Sequence, residues 1–119
     1  MELNALSAIS PIDGRYHSKT SALQPYFSEY GLIKYRVFVE VEYFIALCEI
    51  PLPGLKNFTE EGKKLMRSWC TNFTEKDALW IKETEKTTNH DVKAVEYFLK
   101  NKFESENWNE FSEYIHFGL

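Results

Sequence analysis

The sequence predicts an all-α fold of four or five helices, preceded by an irregular N-terminal arm. Three observations predict it. Apolar residues recur at steps of three and four from Ser28 to about Ile50. Thr74-Glu75-Lys76-Asp77 has the form of a capping box that opens a helix. Val92, Val95, Phe98 and Leu99 then repeat the helical spacing downstream. The 119 residues, 44% apolar and 16% aromatic, supply one domain's core and are too aromatic for a disordered tail.

The elements follow in order. Residues 1 to about 24 form the arm, where Pro11, Asp13, Gly14 and scattered Ser and Thr break any periodicity and Asp13-Gly14 marks a turn. Residues 25–119 form the helical domain. In its first helix Ile33, Val37, Val41, Phe44 and Cys48 make one apolar row, and Leu32, Tyr35, Val39, Tyr43 and Ala46 a second. Two such rows predict a helix buried around most of its circumference. Val37 to Glu42 also alternates like a strand, but about 20 residues without a turn signal is too long for one.

Pro51-Leu52-Pro53-Gly54 ends that helix. A second spans Thr59 to about Cys70 with Leu65, Met66 and Trp69 inward, and a third runs from the capping box to about Lys86 with Ala78, Leu79 and Ile81. Thr87-Thr88-Asn89 interrupts it, and a fourth runs from about His90 to Phe103. Glu104 to Asn109 reads as a loop and Glu110 to Leu119 as one more short helical turn. The apolar ending on Phe117-Gly118-Leu119, with no polar cap, predicts a chain that is part of something longer.

Charge and composition exclude several functions. Fourteen basic against eighteen acidic residues leave a net charge of −4, which argues against general nucleic-acid binding. No apolar run approaches the ~20 residues that span a bilayer, and Glu2 stands where a signal peptide carries positive charge. A cytoplasmic, non-membrane protein is expected. Cys48 and Cys70 form no CxxC pair and read as buried free thiols. His17, His90, His116 and the cysteines show no metal-ligand spacing, and no phosphate-loop or nucleophile-elbow motif occurs.

Two polar clusters are candidates for chemistry. In Asp13-Gly14-Arg15-Tyr16 an Arg beside a turn glycine presents a planar fork suited to a carboxylate or phosphate, with Tyr16 a neutral donor alongside. The same residues also read as an ordinary surface turn. Thr87-Thr88-Asn89-His90-Asp91 stands at a helix start, where unpaired N–H groups and the dipole favour an anion. There His90 adds a hydrogen bond or acts as acid or base, and Asp91 either orients the ring or competes for the same N–H groups. The alternative is that Asn89 caps the helix and His90-Asp91 decorate it. His17 reads as solvated, and His116, among Tyr114, Ile115 and Phe117, as a core or interface residue.

At these clusters the sequence resembles a known family. Ser10-Pro11-Ile12-Asp13-Gly14-Arg15-Tyr16, the run from Ile81 to Leu99 and Ser112 to Leu119 are similar to the N-terminal region of the adenylosuccinate lyase family in its bacterial form. The resemblance covers the whole chain in the right order, and these three separated blocks are its specific motifs. The resemblance implies a truncated N-terminal helical domain of a fumarase/aspartase-type lyase. Such enzymes are homotetramers that release fumarate by β-elimination, here from adenylosuccinate and the succinylcarboxamide ribotide of purine synthesis, with no metal or organic cofactor.

Carried over by motif, Arg15, Tyr16, Asn89, His90 and Asp91 bind the purine nucleotide substrate, and His116 is a weaker candidate. The family's general acid and base lie beyond Leu119, so this chain is expected to hold no catalytic residue and to be inactive alone. Some branches place Arg where this chain has Asn89. Argininosuccinate lyase and a freestanding helical interaction module using the Tyr114–Leu119 face are the rival readings.

Overall fold

The computed structural model describes every residue from Met1 to Leu119 and is helical, without strands. It divides into two compact units, Met1–Leu32 and Ile33–Leu119.

In the first unit the Asn4 carboxamide oxygen accepts from the backbone N–H groups of Leu6 and Ser7 at 2.8 and 3.2 Å, closing an N-terminal turn. The predicted Asp13-Gly14 turn forms, with Gly14 N–H donating to the Ser10 carbonyl at 3.0 Å and Tyr16 N–H to that of Pro11 at 3.0 Å. Single helical turns follow: α1 (His17–Thr20), a 3₁₀ turn (Ser21–Leu23) and α2 (Gln24–Phe27). Ser28 is extended and opens α3 (Glu29–Glu49), its hydroxyl accepting from Gly31 N–H at 3.0 Å. A Cβ at Gly31 would lie 2.8 Å from the Pro25 carbonyl oxygen, so only glycine lets α3 start this close to α2.

The second unit holds the remainder of α3, then α4 (Glu60–Thr71), α5 (Glu75–Thr88), α6 (Asp91–Ser105) and a closing 3₁₀ turn (Asn109–Tyr114). Thr59 caps α4 by accepting from Gly62 N–H at 3.0 Å, and Glu60 and Glu61 in its first turn suit the dipole. The predicted capping box on α5 forms in both directions: Asp77 N–H donates to the Thr74 hydroxyl at 3.2 Å and Thr74 N–H to the Asp77 carboxylate at 3.0 Å. Arg67 of α4 grips Glu42 of α3 through two bonds of 2.9 and 3.1 Å.

Burial corrects the expectation that α3 is covered around most of its circumference. Ile33, Val37, Val41, Phe44 and Cys48 are buried as predicted, but Tyr35, Val39 and Ala46 of the second row are exposed. The other helices of this unit cover one side of α3 only. Leu79 likewise faces solvent, whereas Ala78 and Ile81 are buried. Unexpectedly, the buried side of α3 includes an acid, Glu40.

The core centres on aromatic rings. Phe103 of α6 is fully buried, with ring centroids of Phe44, Trp108 and Trp69 at 5.1, 5.3 and 6.1 Å. Phe58 packs edge-on against Phe44, Trp108 and Phe111. The closing 3₁₀ turn is thereby fastened to α3 and α6, which sets the position of Ile115 and His116. At Gly54 a Cβ would meet the Tyr114 hydroxyl at 2.0 Å, so this glycine makes room for the closing turn. Both cysteines are buried and free, as expected, and burial pushes the Cys70 thiol up to about 11. No helix is long and apolar enough to cross a membrane.

Candidate functional site

The segment Thr87–Asp91 is built differently from either expectation. α5 runs through Thr87 and Thr88 rather than stopping before them, because the Thr88 hydroxyl satisfies local backbone groups. It accepts from His90 N–H at 3.2 Å and donates to the His90 carbonyl at 3.0 Å. Asn89 takes the left-handed conformation, φ 54°, and closes α5 as its C-cap. The N-cap of α6 is therefore His90 and not Asn89: its ring Nδ1 accepts from Lys93 N–H at 3.3 Å. An Nδ1 that accepts carries no proton, so Nε2 is the protonated nitrogen and a donor.

Asp91 does not orient His90 through a short contact; the two stand 4.0 Å apart. Its carboxylate pairs instead with Arg36 of α3 at 2.9 Å and accepts from Val92 N–H at 2.8 Å. The Val92 N–H, and after it the Arg36 charge, hold the Asp91 carboxyl below the usual carboxylate range. Asp91 thus ties the start of α6 to α3.

His90 and His116 line one cavity of about 440 Å³, together with Lys93, Glu96, Lys100 and Glu113. That volume is in the range of small-molecule sites. Glu96 is almost fully buried and bridges Lys93 at 3.7 Å and Lys100 at 3.0 Å. Two ammonium groups share this carboxylate, and Glu113 adds a second carboxylate to the lining. Lys93, Glu96 and Lys100 were not picked out by sequence motif. Their signal was an acid at a position of α6 next to Val95 and between two lysines at helical spacing.

His116 departs from a plain core role. Its backbone is left-handed, φ 61°, which few non-glycine residues adopt, and its ring is a quarter exposed. Its Nδ1 lies 2.6 Å from the Glu40 carboxylate.

In the first unit Arg15 lies over the ring of its neighbour Tyr16, 4.8 Å from the centroid. Both are exposed. They stand outside that unit's cavity, which Asp13, His17, Thr20, Gln24 and Glu29 help to line. A further cavity of about 350 Å³ beside Tyr35, Phe38 and Cys70 is mainly apolar, and its Glu42 and Arg67 are already paired with each other. No three His, Cys, Asp or Glu side chains come together in a geometry that could hold a metal ion.

No protein-family model matches the chain. Individual relatives do, over its whole length. The chain is 52% identical to an adenylosuccinate lyase of Dictyostelium discoideum across all of its residues, and 50% identical to one of Vibrio cholerae across 99% of them. Over its whole length the chain is similar to adenylosuccinate lyases. An Escherichia coli adenylosuccinate lyase is 48% identical, and in each case the chain spans about 26% of the relative's length. The chain thus corresponds to an N-terminal region of these adenylosuccinate lyases.

Proposed function

We propose that the enzyme containing this region splits adenylosuccinate into AMP and fumarate, and the succinylcarboxamide ribotide into its carboxamide and fumarate. The carrying observation is the full-length match of the chain to adenylosuccinate lyases, at 45% to 52% identity. The relatives' names favour this reading over argininosuccinate lyase. The active enzyme is a cytoplasmic homotetramer in this reading, and the reaction needs no cofactor.

The residues of this chain bind and orient. The substrate carries one phosphate and two carboxylates, and the cavity of His90 and His116 offers it imidazole and ammonium donors. His90 donates from Nε2 to an anionic oxygen, in a place where α6 begins and its dipole adds positive potential. Lys93 and Lys100 lend charge while remaining tied to Glu96. Arg15 and Tyr16 bind the nucleotide portion, Arg15 through its fork. Asn89 shapes the bend that aims His90, and Asp91 holds the start of α6 through Arg36. In the β-elimination a base takes the proton next to a carboxylate, the C–N bond breaks and an acid protonates the leaving nitrogen. Base and acid come from the part of the enzyme outside this region. The carbanion adds charge to the succinyl end, which preorganised donors stabilise.

The test is His90→Gln in the full-length enzyme, read by fumarate release. A raised KM for adenylosuccinate supports the assignment, and unchanged kinetics remove His90 from the site.

A further inference from the structure

We propose that Glu40 is a positioning residue: it holds Nδ1 of His116 so that Nε2 alone meets the anionic substrate, and meets it as a protonated donor. The inference rests on the reading above that His116 faces substrate.

Glu40 sits on the buried side of α3, one turn from Val37 and Phe44, and is 6% exposed. A carboxylate in that row has no packing reason to be there, since an apolar residue fills such a position at lower desolvation cost. Its Oε1 contacts His116 Nδ1 at 2.6 Å across 76 residues of sequence, and its Oε2 has no hydrogen-bond partner within the protein. One turn further along α3, the Tyr43 hydroxyl donates to the Phe117 carbonyl. Two side chains on one face of α3 therefore grip consecutive residues of the closing segment, where His116 is held at positive φ.

The tautomer follows from the donor inventory. A carboxylate only accepts, so Nδ1 of His116 is the donor. Nε2 is then bare in the neutral ring and donates only when the ring carries a second proton. His90 has the opposite arrangement, since its Nδ1 accepts and its neutral ring already donates from Nε2. One cavity thus holds one ring that donates from Nε2 in its neutral form and one that donates there only with a second proton. Besides Glu40, the titratable and charged side chains that share this cavity with His116 are His90 at the start of α6, Lys93, Glu96 and Lys100 along it, and Glu113 on the segment of His116 itself. None of the carboxylates or ammonium groups ordinarily titrates between about pH 7 and pH 9.

The experiment is AMP binding to the full-length enzyme by calorimetry, from about pH 7 to about pH 9, for wild type, Glu40→Gln and His116→Gln. For wild type the dissociation constant should rise toward about tenfold per pH unit on the alkaline side, as one proton is linked to binding. Gln at position 40 can turn its amide to donate to Nδ1, which frees the Nε2–H tautomer of the neutral ring. E40Q should therefore flatten that dependence to less than about twofold per unit, an effect that a purely structural role does not produce.

If H116Q binds AMP like wild type, His116 is outside the site and the underlying reading fails with the proposal. If H116Q weakens binding while E40Q keeps the wild-type pH dependence, the site stands and the role of Glu40 is overturned. Should E40Q not fold, the ring ¹⁵N shifts of His116 in the wild-type enzyme decide. A protonated Nδ1 supports the proposal, and a neutral ring protonated at Nε2 overturns it.

Discussion

His90 has two functions in this account, and a pair of substitutions separates them. As N-cap of α6 its ring accepts one backbone N–H at 3.3 Å, at the long end for such a bond, and its side chain is 64% exposed. Loss of that cap in His90→Ala should cost about 0.5–1 kcal/mol, the lower part of the range for caps. As a ligand donor His90 meets a charged oxygen, and such bonds are worth about 1.5–3 kcal/mol, or roughly 10- to 150-fold in affinity. Asn is among the best N-caps but is too short to replace the Nε2 donor. His90→Asn should then keep the thermal stability of the full-length enzyme while AMP binding weakens by that factor. His90→Ala should lower both. Calorimetric titration and thermal unfolding of the two variants provide the comparison. Wild-type AMP affinity in H90N would refute the reasoning and leave His90 a cap only.

Phe103→Ala removes a fully buried ring that touches Phe44, Trp69 and Trp108, and should destabilise the helical unit by about 3–5 kcal/mol, measured by urea unfolding. The two cysteines should resist a thiol reagent near pH 8 until denaturant is added, because burial raises both thiols. Cys70 titrates higher folded than unfolded, so its contribution to stability is whole below the ordinary thiol range and is lost as pH rises toward about 11. The purified 119-residue chain should release no fumarate from adenylosuccinate, and steady release would show that acid and base lie within it.

Local signals in the sequence carried most of the fold. The capping box at Thr74 and the 3.6-residue rows place α4, α5 and α6 to within two or three residues, because caps and periodicity act within a few positions. What failed was non-local. Whether the second row of α3 is covered depends on which elements lie against it, and a row of Tyr35, Val39 and Ala46 looks apolar either way. The burial of Glu40 was not read from the sequence, because its partner is 76 residues distant and no spacing announces it. At Asn89-His90 the competition was between two good caps. Asn tolerates the left-handed bend that ends α5, and that left His90 to cap α6.

The claim on which the rest stands is that the cavity shared by His90 and His116 receives the anionic substrate. A crystal structure of the full-length enzyme with AMP tests it most directly. The account predicts an AMP oxygen within hydrogen-bonding distance of His90 Nε2, with His116 Nε2 turned to the same ligand and Nδ1 still on Glu40. AMP bound elsewhere, with both rings facing only solvent, would contradict it.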